Sequence, residues 1–524
     1  MVLSQSPITE AYWENFELRD EDIEFLYNFL LESETPLTPQ ELVGALVAER
    51  VRRERAALAA QRQAGGTLYQ PKKHYAPGES LTFPTMGWRQ GEVSAVRPGY
   101  NPDLGEFSVI SVTFANGEER QFAADLSEHA LNGPLPEDEA NPALDHEAVL
   151  DDFEELLIER LEEGLGDHAD FVRIAGRWFP RALLLDIGVG QLNLAEAVLD
   201  MAGGGPLSTS DLIDQIGMQA EENAKLLTFS FDLALQEDPR FDEVGSSGRV
   251  LWYLRRLEPP EVLEPPLTLR YQGTEYDRSL LSPDMLALER QLDDELSPLH
   301  AREETDEAAL TLIYPHWRAG TLPLAAKVRH LFPTAYESPR IQFTLVDGDT
   351  GERISAWVVR EKRYVFGLKD WYKSRNLIPG SLIKVQRGEN PGEVIIRTDS
   401  RRTTREWVRT VLVGSDGGVV FAMLKQVVAP PYDERMTIAT PDESALDVAW
   451  ARFQKEHRSL EQTVTSMVRE LAKLNPQRHV HVSELYAAVN IVRRCPPAPI
   501  MALLASHKIF THVGDMHYRF AEVD

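Results

Sequence analysis

The chain has one cysteine, Cys495, in 524 residues. That excludes an internal disulfide and a cysteine-rich metal site, and it fits a reducing compartment. Apolar runs are interrupted well short of the roughly 18–20 residues needed to cross a bilayer. The opening MVLSQSPITEAYWENFELRDEDIEF has neither the basic nor the apolar block of a secretory leader. A cytoplasmic location with no membrane partner is therefore expected. Catalytic motifs are equally scarce. His479, His481, His507, His512 and His517 crowd the C-terminus without cysteine partners or a His-Glu-x-x-His pair, and read as structural or surface groups. Asp347-Gly348-Asp349-Thr350-Gly351-Glu352 is too short for a calcium loop and reads as a hairpin turn. Gly203-Gly204-Gly205 lacks the Lys-Ser/Thr of a phosphate loop and marks a helix end. No Gly-x-Ser-x-Gly elbow is present. The expectation is a non-enzymatic protein with no cofactor and no metal.

What the chain does have is uneven charge. The net charge is −29, which argues against indiscriminate binding of nucleic acid. Between Arg340 and Arg409, however, fifteen Lys/Arg face nine Asp/Glu, so this window carries +6. Residues 131–170 hold fourteen acids against one arginine, and 281–310 hold nine against two. Both acidic stretches read as solvated helices or linkers. A reversed local charge with short strands and aromatics points to a small barrel that meets a polyanion.

Hydrophobic content of 43% and charged content of 26% suit globular domains, about three to five at this length. The fold class expected is α+β and multidomain. Residues 1–66 are helical. Ile23, Phe25, Leu26, Phe29 and Leu30 share a face, and Thr38 caps a second helix that carries Arg50, Arg52, Arg53 and Arg55 and closes at Gly65-Gly66. Helix, short proline turn and helix make half of a helix-turn-helix unit, and the arginines read equally as a solvated helix face. Residues 67–130 change to short strands between Pro77-Gly78, Pro98-Gly99, Asn101-Pro102 and Asn116-Gly117 turns, the pattern of a five-stranded small barrel. An acidic helical connector and ribbon occupy 131–190. Residues 191–258 run helix, short helix, helix, hairpin, followed by a linker with acidic helices over 259–315. A basic β-rich domain spans 316–410, and a β-rich connector 411–444. In 445–524 one long helix, about 445–474, precedes a repeat of the helix-and-hairpin order.

Two resemblances follow. Pro206-Leu207-Ser208-Thr209-Ser210-Asp211-Leu212, with Phe241-Asp242-Glu243-Val244-Gly245 through Arg249-Val250-Leu251-Trp252, resembles the winged-helix domain of the bacterial RNA polymerase delta subunit and of some chromatin and restriction proteins. Pro36–Leu42 is similar to the same helix start, and His481-Val482-Ser483-Glu484-Leu485 stands in its place near the C-terminus. Thr321-Leu322-Pro323-Leu324, Trp357-Val358-Val359-Arg360, Tyr364–Tyr372 and Asn376-Leu377-Ile378-Pro379-Gly380-Ser381-Leu382-Ile383 resemble the DNA-binding pseudobarrel of plant transcription factors and some restriction enzymes, with Ser381 where aspartate is usual. The resemblances imply winged-helix units and a pseudobarrel, which would frame the small β-barrel read from the turn pattern.

In the pseudobarrel the expected DNA contacts are Lys327, Arg329, Arg360, Lys362 and Arg363, with Lys369, Lys373 and Arg375 on a flanking helix. Trp357, Phe366 and Trp371 read as core. The C-terminal helix Pro499–Ser506 offers Ile500, Met501, Leu503 and Leu504 and almost nothing that reads base edges, so it reads as a protein-packing surface. The function expected is binding of double-stranded DNA in or near transcription. The alternative is a scaffold whose winged-helix copies bind RNA polymerase or another protein while acidic linkers shield the basic domain. A nucleic-acid-acting enzyme is the third reading.

Overall fold

A computed structural model describes residues 8–521, except 64–66, 87–88, 102–104, 116, 134–142, 144, 219–222, 301–304, 389, 391 and 400–403. The expected turns at Gly65-Gly66, Asn101-Pro102 and Asn116-Gly117 thus lie wholly or partly outside the described residues. The chain divides into two compact units, Met1–Leu185 with Asn223–Phe229, and Asp186–Glu222 with Ser230–Asp524. Among the described residues, no helix is long and apolar enough to cross a membrane.

In the first unit, Thr38 and Glu41 cap the helix Pro39–Gln63 reciprocally. The Thr38 N–H donates to Oε2 of Glu41 at 2.7 Å, and the Glu41 N–H donates to Oγ1 of Thr38 at 3.3 Å. The arginine run on this helix is not one face. Arg50 is buried, paired with Asp22 and stacked 4.3 Å over Phe16, while Arg52 and Arg53 both bond Glu49. The barrel-like segment is a five-stranded sheet from Thr67 to Ala124, antiparallel except for its first pair. Tyr69, Phe83, Phe114 and Phe122 fill it. The Leu126 N–H to Pro71 O bond, 2.8 Å, returns its last strand to its first. The helix His146–Gly166 buries Leu157, Leu161 and Leu165 at four-residue spacing and leaves most of its acids in water. The ribbon Phe171–Ile174 and Arg177–Pro180 follows.

The second unit contains the same arrangement twice. Helix Val189–Met201, strand Leu207–Ser208, helix Thr209–Ile216, the part of helix Ala224–Glu237 from Ser230 on (its residues to Phe229 belong to the first unit) and strands Phe241–Glu243 and Leu251–Leu254 make the first copy. Helix Leu460–Ala472, strand Val480–His481, helices Val482–Val489 and Pro497–Ser506, and strands Phe510–Gly514 and His517–Phe520 make the second. In both sheets the third strand lies between the first and the second. In both, the second helix opens on a capping box, Ser208 with Asp211 and His481 with Glu484. The Gly203–Gly205 stop is steric as well as conformational. A Cβ on Gly204 would meet the Tyr253 ring at 2.8 Å, and Gly204 has φ +108°.

Asp232 anchors the first copy. It is buried and accepts from Thr209 Oγ1 and, at 3.0 Å, from Trp252 Nε1. Burial pushes its carboxyl up to about 7, against the two hydrogen bonds. A carboxyl raised above its unfolded value of about 3.9 stabilises the fold fully at acid pH, and that stability fades as pH rises through about 7. Asp232→Asn keeps the acceptor and removes the ionisation. Calorimetry should show the variant gaining melting temperature over the parent at pH 8 and not at pH 4; parallel pH profiles would contradict this.

One expectation fails in the C-terminal region. The single helix over 445–474 is two, Glu443–Lys455 and Leu460–Ala472. His457 adopts φ +46°, which breaks the first helix, and Ser459 caps the second by accepting from the Gln462 N–H at 3.1 Å.

Between the two copies lies a seven-stranded sheet. Its order is Glu307–Thr311, Leu382–Arg387, Glu393–Arg397, Arg340–Asp347, Arg353–Val359, Tyr364–Phe366, Thr321–Pro323. Its first strand precedes residue 316, where the basic domain is expected to begin. One neighbouring pair, Arg340–Asp347 with Glu393–Arg397, is parallel. Strict alternation buries Ile341, Phe343 and Leu345 against Val365, Ile383 and Ile396. Trp357 and Trp371 are buried as expected of core aromatics, and Phe366 is partly buried. Trp357 faces the first copy, edge-on to Tyr253. Beyond the sheet, Thr404–Val413 and Val419–Val428 pair as a ten-rung antiparallel hairpin.

Candidate nucleic-acid interface

The register of one strand pair sorts the eight cations read from the sequence. Thr321–Pro323 runs antiparallel to Tyr364–Phe366, with Pro323 opposite Tyr364 and Thr321 opposite Phe366. At one end the Leu324 N–H bonds Arg363 O at 2.9 Å, and at the other the Leu368 N–H bonds Gly320 O at 2.9 Å. Arg363 and Lys369 are therefore separated by the length of the strand, on the order of 15 Å. Arg360, Lys362 and Arg363 sit at the first end with Lys327 and Arg329, which follow Leu324. Lys369, Lys373 and Arg375 sit at the second. Gly320 permits the close crossing there, because a Cβ on it would lie 2.5 Å from that of Lys369.

At the first end, Arg329, Arg360 and Arg363 line one open cleft of about 530 Å³. Leu324, Phe332, Pro333, Thr334, Pro339, Val358 and Glu361 complete its walls. Each guanidinium is held by backbone carbonyls. Arg329 Nη2 donates to Leu299 O at 2.8 Å, Arg360 Nη1 to Ser338 O at 2.7 Å, and Arg363 Nη1 to Glu295 O at 3.0 Å. A carbonyl fixes an arginine without cancelling its charge, and each guanidinium has five N–H groups. Among the described residues, none of the three forms an ion pair. Arg329 Nε is buried with no acceptor. Arg363 holds φ +56°, a conformation that costs a non-glycine residue about 1–2 kcal/mol. The Leu324 bond to its carbonyl and the Glu295 contact of its side chain hold it there.

The other five cations are differently employed. Arg375 is neutralised by Asp347 and by Asp349 at 3.3 Å. Burial alone would raise the Asp347 carboxyl, but Arg375, the Asp349 and Thr350 N–H groups and Trp371 Nε1 outweigh it and hold it at about 2. Lys362 bonds Glu361, and Lys327 bonds Gln291 O at 3.0 Å. Lys369 and Lys373 are exposed on the helix Lys369–Ser374.

Two of the carbonyls that hold these arginines, Glu295 O and Leu299 O, belong to the connector segment 293–299, and here the reading of a solvated acidic linker is overturned. Asp293, Asp294 and Glu295 are buried. Arg494 grips Asp294 with two bonds of 2.8 and 2.6 Å and reaches Glu295 Oε1 at 2.6 Å. His316 Nε2 lies 3.0 Å from the same Oε1, its Nδ1 is 2.9 Å from Thr321 Oγ1, and the Tyr486 hydroxyl donates to Asp294. Asp293 accepts from the Lys327 N–H at 3.0 Å. The Asp294 and Glu295 side chains thus turn to Arg494 of the C-terminal copy, while the Glu295 and Leu299 carbonyls hold the cleft arginines Arg363 and Arg329. The buried grouping of Asp294, Glu295, His316, Tyr486 and Arg494 was not read from the sequence.

In the C-terminal copy Ile500, Met501 and Leu504 are buried and Leu503 is partly buried. Their helix, Pro497–Ser506, packs on Pro283–Leu292 and on Arg278–Leu280 of the same chain. Arg493 and Arg494 lie past the preceding helix, which ends at Val489, and Arg494 is wholly buried. Of the crowded histidines, His481 caps a helix, and burial together with Arg435 pushes it down to about 4. His507 pairs with Glu461 at 3.0 Å. Among the described residues, no group of three or more His, Cys, Asp and Glu is placed to hold a metal ion. Comparison of the chain with family models, with curated proteins and with solved structures returns no match.

Proposed function

We propose that this chain binds double-stranded DNA by seating backbone phosphates against Arg329, Arg360 and Arg363, and that it does so as a binding protein without chemistry of its own. The carrying observation is the cleft in which three carbonyl-held guanidiniums keep their charge in a chain of net charge −29. Guanidinium groups already fixed by backbone lose little freedom on meeting phosphate, and their planar forks suit phosphate oxygens. The acidic remainder of the chain discourages binding on its other, acid-rich surfaces. The two helix-and-hairpin copies have the winged-helix order. We read the C-terminal one as a packing module, because the apolar side of its third helix is already occupied within the chain.

Three neutralised phosphates predict a slope of about −2.7 for the logarithm of the duplex association constant against that of salt. Raising salt from 50 to 200 mM should weaken binding of a 20-base-pair duplex by about 40-fold, read by fluorescence anisotropy with the full chain. A flat salt response, or no binding at 50 mM, would sink this reading.

A further inference from the structure

The hairpin Thr404–Val413 and Val419–Val428 is packed on opposite sides at its two ends: toward the turn Val411, Val419 and Phe421, on the Trp407 side, are buried, and only toward the open end is that side bare. At its open end, Val408 and Val428 are buried with Ala439, and Ile378 and Tyr432 pack over them. Glu406 turns to that anchored side and accepts from the Tyr432 hydroxyl. Alternation puts Arg405, Trp407, Met423, Lys425 and Val427 on the other side, with Arg405 opposite Val427 and Trp407 opposite Lys425. There Trp407 is 62% exposed, Val427 60% and Met423 42%. Lone exposed apolar residues need no explanation, but three contiguous ones around a tryptophan do. Lys425 Nζ lies 5.5 Å from the Trp407 ring centroid, and among the described residues neither Arg405 nor Lys425 forms an ion pair. The next cation on this side, Arg409, is spent on Glu484 at 2.6 Å. This face of the two strands carries no carboxylate.

We propose that this face is a second nucleic-acid site, separate from the arginine cleft, which stacks an unpaired base of a single strand on Trp407 and holds the adjoining phosphates with Arg405 and Lys425. Charge complementarity selects the occupant. A second copy of the chain meeting the face about a two-fold axis would set the same cations against each other. A polyanion offers opposite charge on either side of the ring, and every base has a π-face that an indole can stack. Lys425, on its long stem, covers the ring in the free protein and can swing to a phosphate when a base replaces it.

The test uses the full chain with a labelled fifteen-residue oligothymidylate and a 20-base-pair duplex, by anisotropy at fixed salt. Trp407→Ala should weaken oligothymidylate binding by about tenfold, Trp407→Phe by less than about threefold, and Arg405→Glu with Lys425→Glu by more than about tenfold. Duplex affinity should change less than about twofold in all three. Because Trp407 is mostly exposed, the variants should keep the parent circular dichroism and melting curve. Single-strand affinity unaltered by Trp407→Ala would overturn the proposal. So would single-strand binding lost only on substitution of Arg360 and Arg363, or a dimer in sedimentation velocity that Trp407→Ala dissolves. Failure of duplex binding with oligothymidylate binding intact would count against the cleft alone and in favour of the hairpin site.

Discussion

Arg494→Ala should destabilise the second unit by about 3–5 kcal/mol, a large share of what holds any domain together. Arg494 is wholly buried and is the cation to which both Asp294 and Glu295 bond. Its removal leaves two buried carboxylates facing each other, with Tyr486 and His316 as their remaining partners. Arg494→Lys should recover little, because one ammonium cannot reproduce the two-bond grip on Asp294 and still reach Glu295. Replacing the charges together, with Arg494→Met, Asp294→Asn and Glu295→Gln, should recover much of the loss, since desolvation is then no longer opposed by a missing partner. Urea unfolding at neutral pH distinguishes these cases. A loss below about 1 kcal/mol in Arg494→Ala would mean the network is not closed as described.

The second large effect is expected at Trp371. It is 4% exposed in the core of the seven-stranded sheet, and its Nε1 donates to Asp347 Oδ2 at 2.7 Å. Trp371→Ala should cost about 3–5 kcal/mol through the cavity it leaves. Trp371→Phe fills most of that volume and should cost about 2 kcal/mol, mainly the bond to a charged acceptor. Asp347 adds a pH signature. Its carboxyl is depressed to about 2, so its contribution is present above the unfolded value and is lost as pH falls toward 2. The Phe variant should therefore lose less stability than the parent between pH 5 and pH 2. If Trp371→Ala and Trp371→Phe have equal midpoints in urea, the ring is not core.

Much of the element order was legible because proline, glycine and capping residues punctuate it. Thr38 with Glu41, Ser208 with Asp211 and Gly203–Gly205 each mark a boundary that the structure has. The break at 456–459 was hidden by apolar residues that continue on both sides, Trp450 and Phe453 before it and Val464 and Met467 after. Ser459 with Gln462 is nevertheless a capping-box pair, and that signal could have found it. The basic window pointed at the sheet domain through charge alone. Its division could not be read that way, because Arg363 and Lys369 are six residues apart in sequence and at opposite ends of a strand in space. The inward turn of Asp294 and Glu295 left no local trace. Their partner Arg494 is 200 and 199 residues away, and composition reports the sign of a charge but not its burial.

The central claim, that duplex DNA is held at the cleft end of the sheet and not at the other end, is decided by one comparison. In the full chain, Arg329→Gln, Arg360→Gln and Arg363→Gln together should weaken duplex affinity by about 100-fold at low salt and remove most of the salt slope of about −2.7. Lys369→Gln with Lys373→Gln, at the far end, should leave affinity within about threefold and the slope unchanged. Equal losses from the two sets, or a cleft variant that binds as the parent does while keeping its melting curve, would contradict the account.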